Sequence, residues 1–266
     1  MRSGWGPLSL SGAIAAGSLL LYAVRPEGVS MKLLGNGAQV LGTVVAVAFL
    51  SMAAKGFGRA DVARCGWVLL SLSAAANLLG FASFGLLELL GRENPFPSVA
   101  DLFFLLAYPI QLYALLMLAQ AYRRSGLPLA RGKWAWAATV GALVLVGVFA
   151  LAPIAADVES PAAERFLLGL YPVADALLIG ATVYMWELVA QFGRGLVALP
   201  WKWIVAGSVL QAVTDALYGI LGSHELYYTG HPVDLGWVFS FLLIGVGGWH
   251  QYRLMTETLP GGGSSA

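Results

Sequence analysis

Four aspartates lie inside or beside long apolar runs, where an ionisable group is costly. Three of them follow a proline by two to four residues, in Pro97-Ser-Val-Ala-Asp101, Pro172-Val-Ala-Asp175 and Pro232-Val-Asp234. The fourth, Asp215, lies in the middle of an apolar stretch. A carboxylate in such a setting can hold a proton, bind a cation or anchor a polar ligand. These four aspartates are therefore the leading candidates for a functional site.

The elements that position them are predicted to be transmembrane helices. The chain is 59% hydrophobic and 11% charged, against about 25% charged residues in an ordinary soluble domain. Its repeated apolar runs of roughly 20 residues are too many for one water-soluble core. The predicted fold class is all-α, a polytopic membrane protein with about eight spans arranged as hairpins. The single cysteine excludes an intramolecular disulfide, and no concentrated basic patch points to nucleic acid.

The eight spans are predicted near 7–24, 34–54, 66–90, 98–122, 134–154, 165–192, 201–221 and 233–252. The connecting segments on one side contain eleven Lys and Arg residues and those on the other side four. By the positive-inside rule the first side is cytoplasmic, which places both termini inside. Residues 1–256 are predicted to form one transmembrane domain. Residues 257–266 are rich in Gly and Ser, which is typical of a flexible cytoplasmic tail or linker.

Helical spacing predicts that the polar side chains converge on one outward-facing pocket. Gln211, Asp215 and Tyr218 are separated by four and three residues, so they share a helix face. With the three other aspartates, the predicted pocket is acidic and aromatic, and its further members are Asn77, Tyr171 and Trp237. We expect Asn77 to be the partner of Asp215 across a helix interface. We expect Asp175 to be the nearest acidic neighbour of Asp215.

Three of these aspartates also have a purely structural explanation. Asp101 and Asp234 fall in the first turn of their predicted helices, where a carboxylate satisfies free backbone N–H groups and the positive end of the dipole. Ser98 followed by Asp101 resembles a capping box. Asp175 would share this role if its helix began at Pro172, the alternative being a longer helix that Pro172 kinks. Asp215 has no such explanation.

A polar and aromatic loop, residues 223–232, follows the span that contains Asp215. It contains His224, Glu225, Tyr228 and His231 beside two helix ends. One hypothesis is that this loop covers the pocket as a lid, and the alternative is an ordinary wet loop with interfacial tyrosines.

Most catalytic patterns are absent from the sequence. Three histidines divided between the two membrane faces do not predict a zinc or haem site, and no phosphate loop or nucleophile elbow occurs. We predict no metal, no cofactor and no catalytic residues. An aspartyl intramembrane enzyme based on Asp175 and Asp215 is the third choice. A small proton- or cation-coupled transporter based on Asp215 is the second.

The motifs Pro97-Ser-Val-Ala-Asp101 to Tyr108-Pro109, Asp215-Ala-Leu-Tyr218 and Pro232-Val-Asp-Leu-Gly-Trp237 support a resemblance. They resemble the multi-pass N-terminal membrane domain of certain bacterial signalling proteins, which precedes a diguanylate cyclase or phosphodiesterase module. The resemblance implies a sensory input domain in a bacterial inner membrane, whose output domain is absent from this chain. The partners expected are the lipid bilayer, a small ligand arriving from the outer side or the membrane, and a cytoplasmic output domain. A homodimer is left open.

Overall fold

The computed structural model describes residues 6–26, 29–92, 96–124, 126, 130–157, 160–191, 195–224 and 226–258, and within them all regular structure is helical. The helices are α1 (Gly6–Val24), α2 (Val29–Lys55), α3 (Val62–Leu89), α4 (Val99–Arg124), α5 (Lys133–Val146), α6 (Ala152–Ala156), α7 (Ala162–Ala190), α8 (Leu199–Ser223) and α9 (Asp234–Arg253). A π-helical turn, Gly147–Leu151, joins α5 to α6, a 3₁₀ turn precedes α8, and a second π-helical turn, Leu254–Thr258, follows α9. The all-α prediction is therefore confirmed.

Within the described residues, seven helical segments are long and apolar enough to cross a membrane. They are Gly6–Val24, Ser30–Lys55, Val62–Leu89, Val99–Arg124, Lys133–Ala156, Ala162–Ala190 and Leu196–Gly222. These seven support a multi-pass membrane protein. Helix α9 matches the eighth predicted span in position but is not among these seven segments. It ends in the polar sequence Trp-His-Gln-Tyr-Arg. The count of eight spans and the orientation of the termini stay predictions. The sequence-predicted tail is described only to residue 258, and residues 259–266 lie outside the described part of the chain.

Two of the long helices continue through a proline. Helix α4 contains Pro109. Helix α7 has 29 residues and contains Pro172, ten residues after its start at Ala162. A proline within a helix removes one backbone hydrogen bond, which the packing of neighbouring helices must compensate. The start of α7 at Ala162 contradicts the alternative that this helix begins at Pro172. Asp175 is consequently far from the helix N-terminus.

Six helices form a closed ring, in the order α2, α3, α4, α7, α8 and α9, with α9 returning to α2. Each helix packs against its two neighbours in that order. Helix α1 lies outside this six-helix ring against α2 and α9, and α5 lies outside it against α7. Large exposed apolar side chains on α5, such as Trp134 and Trp136, suit contact with lipid.

The two halves of the six-helix ring differ in their interiors. One half is filled by apolar side chains. There the rings of Trp67 and Trp201 lie 5.7 Å apart between centroids and are tilted by 45°, and Leu118 and Leu188 are fully buried in the same core. These residues come from the start of α3, the end of α4, the end of α7 and the start of α8. The opposite half encloses a cavity beside the loop that joins α8 to α9. The six-helix ring therefore has a sealed apolar core in one half and a cavity in the other half.

Candidate functional site

The cavity has a volume of about 230 Å³ and all six helices of the ring contribute to its wall. Its lining contains ten aromatic residues, three acids and three amides. The aromatic residues are Phe81, Phe84, Phe96, Phe104, Tyr108, Phe149, Tyr171, Tyr218, Tyr227 and Trp237; the polar ones are Gln39, Asn77, Asp101, Asp157, Gln211 and Asp215. Among the described residues that line the cavity there is no Lys, Arg or His. The described lining of the cavity is therefore acidic and aromatic.

Asp215 borders the cavity and is held by one strong hydrogen bond. The indole Nε1–H of Trp237 donates to Oδ1 of Asp215 at 2.7 Å. Trp237 in turn packs edge-on against Tyr218, with ring centroids 5.4 Å apart. The prediction that Asn77 is the partner of Asp215 is wrong, because the amide of Asn77 donates to the carbonyl of Ser73 at 3.1 Å within α3. Asn77 lines the same cavity without this contact.

Asp175 lies directly behind Asp215 and does not line the cavity. The hydroxyl of Tyr108 donates to Oδ1 of Asp175 at 2.9 Å, and the carboxyl groups of Asp175 and Asp215 lie within side-chain interaction range. Asp175 is 6% exposed, and its Oδ2 has no hydrogen-bond partner among the described residues. A buried polar atom without a partner is uncommon and indicates a place where a proton or cation is accommodated.

Asp101 combines the structural and the site roles that the sequence left open. The N–H of Ser98 donates to Oδ2 of Asp101 at 2.6 Å, and the N–H of Ala100 donates to the Ser98 hydroxyl at 3.2 Å. These reciprocal contacts form a capping box at the start of α4. The other oxygen, Oδ1, accepts a hydrogen bond of 2.8 Å from the hydroxyl of Tyr171. Both Asp101 and Tyr171 border the cavity.

Asp234 is fully buried and lies outside the cavity lining. Its Oδ2 accepts hydrogen bonds from the N–H of Gly230 at 2.8 Å and from the hydroxyl of Tyr22 at 3.2 Å. Its Oδ1 accepts one from the hydroxyl of Tyr227 at 3.1 Å. Asp234 therefore fastens the loop before α9 to α1, and this set of contacts leaves no surface of the residue for a ligand.

A second buried acid fastens the same loop from the other side. Glu88 of α3 is 3% exposed, and its Oε2 accepts a hydrogen bond of 2.7 Å from the amide of Asn36 in α2. The hydroxyl of Thr229 donates to Oε1 of Glu88. The loop is thus held at both Thr229 and Gly230 by carboxylates that belong to different helices.

Among the described residues of the hypothetical lid loop, Tyr227 lines the cavity. Of the four proposed lid residues, Glu225 lies outside the described residues, and His224, Tyr228 and His231 do not line the cavity. The hydroxyl of Tyr228 accepts a hydrogen bond from Arg25, and Nδ1 of His231 accepts one from the N–H of Val233 at 3.2 Å. Partial burial and the nearby Arg25 lower the pKa of His231. Burial and Asp234 raise the pKa of Tyr227 well above its usual value.

Sequence reasoning missed two site tyrosines, Tyr108 and Tyr227. Tyr108 stands seven residues after Asp101, a spacing of about two helical turns that places both on one face of α4. That spacing was a usable signal. No pattern in the sequence marks Tyr227 over its neighbour Tyr228, because only the turn of the loop decides which of the two rings faces inward.

Phe149 marks a side of the cavity that borders the outer surface of the helix bundle. It belongs to the π-helical turn between α5 and α6 and is 63% exposed, although it also lines the cavity. Because large apolar side chains surround this position on the outside, the surface there is one that lipid would cover. A ligand could reach the cavity from the membrane at this point.

The described residues contain no group of three or more His, Cys, Asp or Glu side chains arranged for a metal ion. Comparisons of the chain with protein-family models, with curated proteins and with solved structures find no match. The class of the molecule rests on its structure: in the part of the chain that the structure describes, all regular elements are helical and seven helices are able to span a membrane.

Proposed function

We propose that this chain is a membrane-embedded sensory module that binds a small ligand in the cavity and signals to a cytoplasmic output domain. One observation carries the proposal: the cavity is enclosed by the six-helix ring, with at least one lining residue from every helix of that ring. A ligand in such a position contacts all six helices at once. Binding can therefore change their relative positions over their whole length.

The proposed setting is a bacterial inner membrane with eight spans and both termini in the cytoplasm. The imbalance of Lys and Arg between the two sides supports this orientation. Helix α9 is the eighth span in this proposal, because it is packed along α2 and α8, which are themselves long enough to cross. The cavity then lies in the outer half of the membrane, and the sealed core lies in the inner half.

Cys65 offers a native reporter for the signal. It is the single cysteine of the chain, it is exposed, and it lies in the first turn of α3. Asn77, which lines the cavity, is twelve residues further along the same helix, or about 18 Å away. A fluorophore attached to Cys65 therefore reports on the end of α3 opposite to the cavity.

The test uses purified protein in lipid nanodiscs, labelled at Cys65 with an environment-sensitive dye. The probes are 2-phenylethylammonium, 2-phenylethanol and phenylacetate, which share a size that the cavity can hold. The proposal expects at least one probe to bind and to change the dye emission at the same concentration. Binding without any change at Cys65 would mean that the cavity is not coupled to the cytoplasmic side, and the sensory role would be lost.

A small transporter is the second candidate, and the carboxyl pair favours it. Asp175 carries a buried oxygen without a donor beside the carboxyl group of Asp215. Such a pair can accept a proton or a cation and release it again, as coupled transport requires. Uptake of the same probes into liposomes separates the two functions, since a sensor binds its ligand without moving it across the membrane.

An aspartyl enzyme is the weakest of the three candidates. Asp175 and Asp215 do lie together, as that hypothesis requires. However, only Asp215 borders the cavity, and Asp175 is behind it against Tyr108. An aspartyl pair acts with both carboxyl groups on the substrate or its attacking water, so this arrangement favours a binding role.

A further inference from the structure

The chemical class of the ligand follows from the charges that surround the cavity. Its lining contains three acids, and none of the lining residues described is basic. No described Lys or Arg forms an ion pair with Asp101, Asp175 or Asp215. Negative charge within a low-dielectric site is stabilised by a counter-ion or by hydrogen-bond donors. Among the described residues, Asp101, Asp175 and Asp215 have no Lys or Arg as a counter-ion, and a ligand can supply one.

Asp215 is the acid best placed to meet that ligand. Asp101 already accepts hydrogen bonds on both oxygens, from Ser98 and Tyr171. Asp157 stands at the outer rim, where its Oδ1 accepts a hydrogen bond from the N–H of Ser160. Asp215 accepts its hydrogen bond from Trp237 on Oδ1 and borders the cavity.

An independent observation points to the same place. Oδ2 of Asp175 is buried without a hydrogen-bond partner, and Asp175 interacts with Asp215. Two adjacent carboxyl groups can share one proton and still carry a negative charge beside the cavity. A cation bound at Asp215 would offset the charge of this pair.

The aromatic wall around Asp215 is suited to an organic cation. Trp237 lies 5.4 Å from Tyr218 and 6.1 Å from Phe81 between ring centroids, and Tyr218 lies 4.6 Å from Tyr227. Aromatic faces attract an ammonium group placed over them, most strongly when water is excluded. The apolar remainder of a ligand would contact phenyl rings such as that of Phe104. A bare metal ion would make no use of this wall.

The volume limits the size of the ligand. A cavity of about 150 Å³ in a protein core holds benzene, whereas this cavity has about 230 Å³. When the size of benzene is scaled by the ratio of these two cavity volumes, the ligand has about nine non-hydrogen atoms. An aromatic or branched aliphatic monoamine meets the limits of charge, shape and size together.

Resting on the proposed binding function, we propose that the ligand is a small amphiphilic organic ammonium ion whose charged group binds Asp215 within the aromatic wall. Its apolar body occupies the cavity between α3, α4 and α8. Asp215 gives the charge selectivity, and the aromatic rings provide the affinity for the body. The exposed side at Phe149 gives such an amphiphile a path from the bilayer.

The test measures binding of 2-phenylethylammonium, 2-phenylethanol and phenylacetate by isothermal titration calorimetry in nanodiscs. These probes have the same aromatic body and differ in the charge of the head group. The ammonium ion should bind at least tenfold more tightly than the alcohol, and phenylacetate should bind most weakly. The Asp215→Asn variant should weaken binding of the ammonium ion by about tenfold to hundredfold, the range expected for losing one hydrogen bond to a charged group. Its affinity for the alcohol should stay within threefold.

Two glycines of α8 supply a matched pair of controls. A Cβ at Gly219, which lines the cavity, meets no atom within 4 Å, so Gly219→Leu should occupy the cavity and abolish binding of every probe. A Cβ at Gly222 also meets no atom within 4 Å, but Gly222 does not line the cavity. Gly222→Leu should therefore bind all probes as the unmodified chain does. The pair separates filling of the cavity from any general effect of leucine in α8.

The outcomes distinguish this inference from the proposed function. If the alcohol binds as tightly as the ammonium ion, or if Asp215→Asn leaves ammonium binding unchanged, the ammonium inference is overturned and the binding site stands. If no probe binds, or if Gly219→Leu has no effect, the site and the inference are both overturned. The Asp215→Ala variant repeats the charge test independently, and it should lose ammonium selectivity as Asp215→Asn does.

Discussion

Replacing Asp215 with asparagine should stabilise the fold, although the residue belongs to the binding site. The carboxyl group of Asp215 accepts from Trp237 Nε1–H at 2.7 Å and lies beside Asp175, whose Oδ2 is buried without a donor. Asparagine keeps one carbonyl oxygen to accept from Trp237 and gains an amide group that can donate. That amide can donate to Asp175, whose side chain interacts with that of residue 215. The substitution also removes the negative charge of Asp215 from beside Asp175.

The size of the effect follows from the one unpaired oxygen. A buried polar group without its hydrogen bond costs about 1–3 kcal/mol, so Asp215→Asn should raise the free energy of unfolding by about 1–3 kcal/mol. Asp215→Leu leaves Oδ2 of Asp175 without a donor, as in the native chain, and deprives Trp237 of its acceptor. It should therefore lower that free energy by about 1–3 kcal/mol. The two variants should move stability in opposite directions.

The assay is reversible unfolding by SDS in mixed micelles, followed by tryptophan fluorescence. Asp61→Asn is the matched control, because Asp61 caps α3 through the N–H of Ala63 and asparagine caps a helix about as well as aspartate. This control should change the free energy of unfolding by less than about 0.5 kcal/mol. A loss of 1 kcal/mol or more in Asp215→Asn, with Asp61→Asn unchanged, would refute the reasoning, since it would show that the charge itself stabilises the fold.

Three further predictions concern the loop and the topology. Asp234→Leu should lower the free energy of unfolding by about 3 kcal/mol or more, measured in the same SDS assay, because three donors lose their acceptor at about 1–3 kcal/mol each. The pKa of His231 is lowered in the folded chain, so the folded loop binds fewer protons than the unfolded chain. The stability of the loop should therefore be complete above about pH 6.5 and should fall as the pH decreases below that value. Limited proteolysis of the loop should accelerate from pH 7.5 to pH 5.5 in the native chain and in His224→Gln but not in His231→Gln, and equal acceleration in all three would contradict this. Reporter fusions at Gly126 and Gly262 should both be cytoplasmic, and an external signal at Gly262 would show that one span has been miscounted.

The helices could be predicted from the sequence because bilayer thickness restricts their length. The apolar runs predicted spans at 66–90 and 201–221, and the helices are Val62–Leu89 and Leu199–Ser223. The convergence of Asp101, Tyr171 and Asp215 on one cavity was likewise predicted, since helical spacing determines which residues share a face. For these features a local rule was sufficient.

The hydrogen-bond partners could not be predicted in the same way. Asn77 and Trp237 both line the cavity, and only the rotation of α3 and α9 decides which of them faces Asp215. Asp234 shows the same limit. The Pro-to-Asp sequence before Asp234 resembles the one before Asp101. However, the chain turns at Gly230, with a φ of +94°, so that the N–H of Gly230 donates to the carboxylate of Asp234. The carboxylate therefore holds the loop. Tertiary packing, not spacing, fixed these contacts.

Helix α9 shows why apolar composition alone does not identify every span, and it yields a last prediction. This helix is not among the seven described segments that are apolar enough to span a membrane, yet it is buried between α2 and α8, so neighbouring helices and not lipid cover much of it. Small residues allow that close approach: a Cβ at Gly248 would lie 2.8 Å from the backbone of Phe49 in α2. Backbone cannot move aside as a side chain can, so Gly248→Ala should force α2 and α9 apart and lower the free energy of unfolding by about 1–3 kcal/mol in SDS titration. Gly17→Ala is the control, because a Cβ there meets no atom within 4 Å. Equal stability of the two variants would show that α9 does not require this contact, and the case for α9 as a span enclosed by its neighbours would fail.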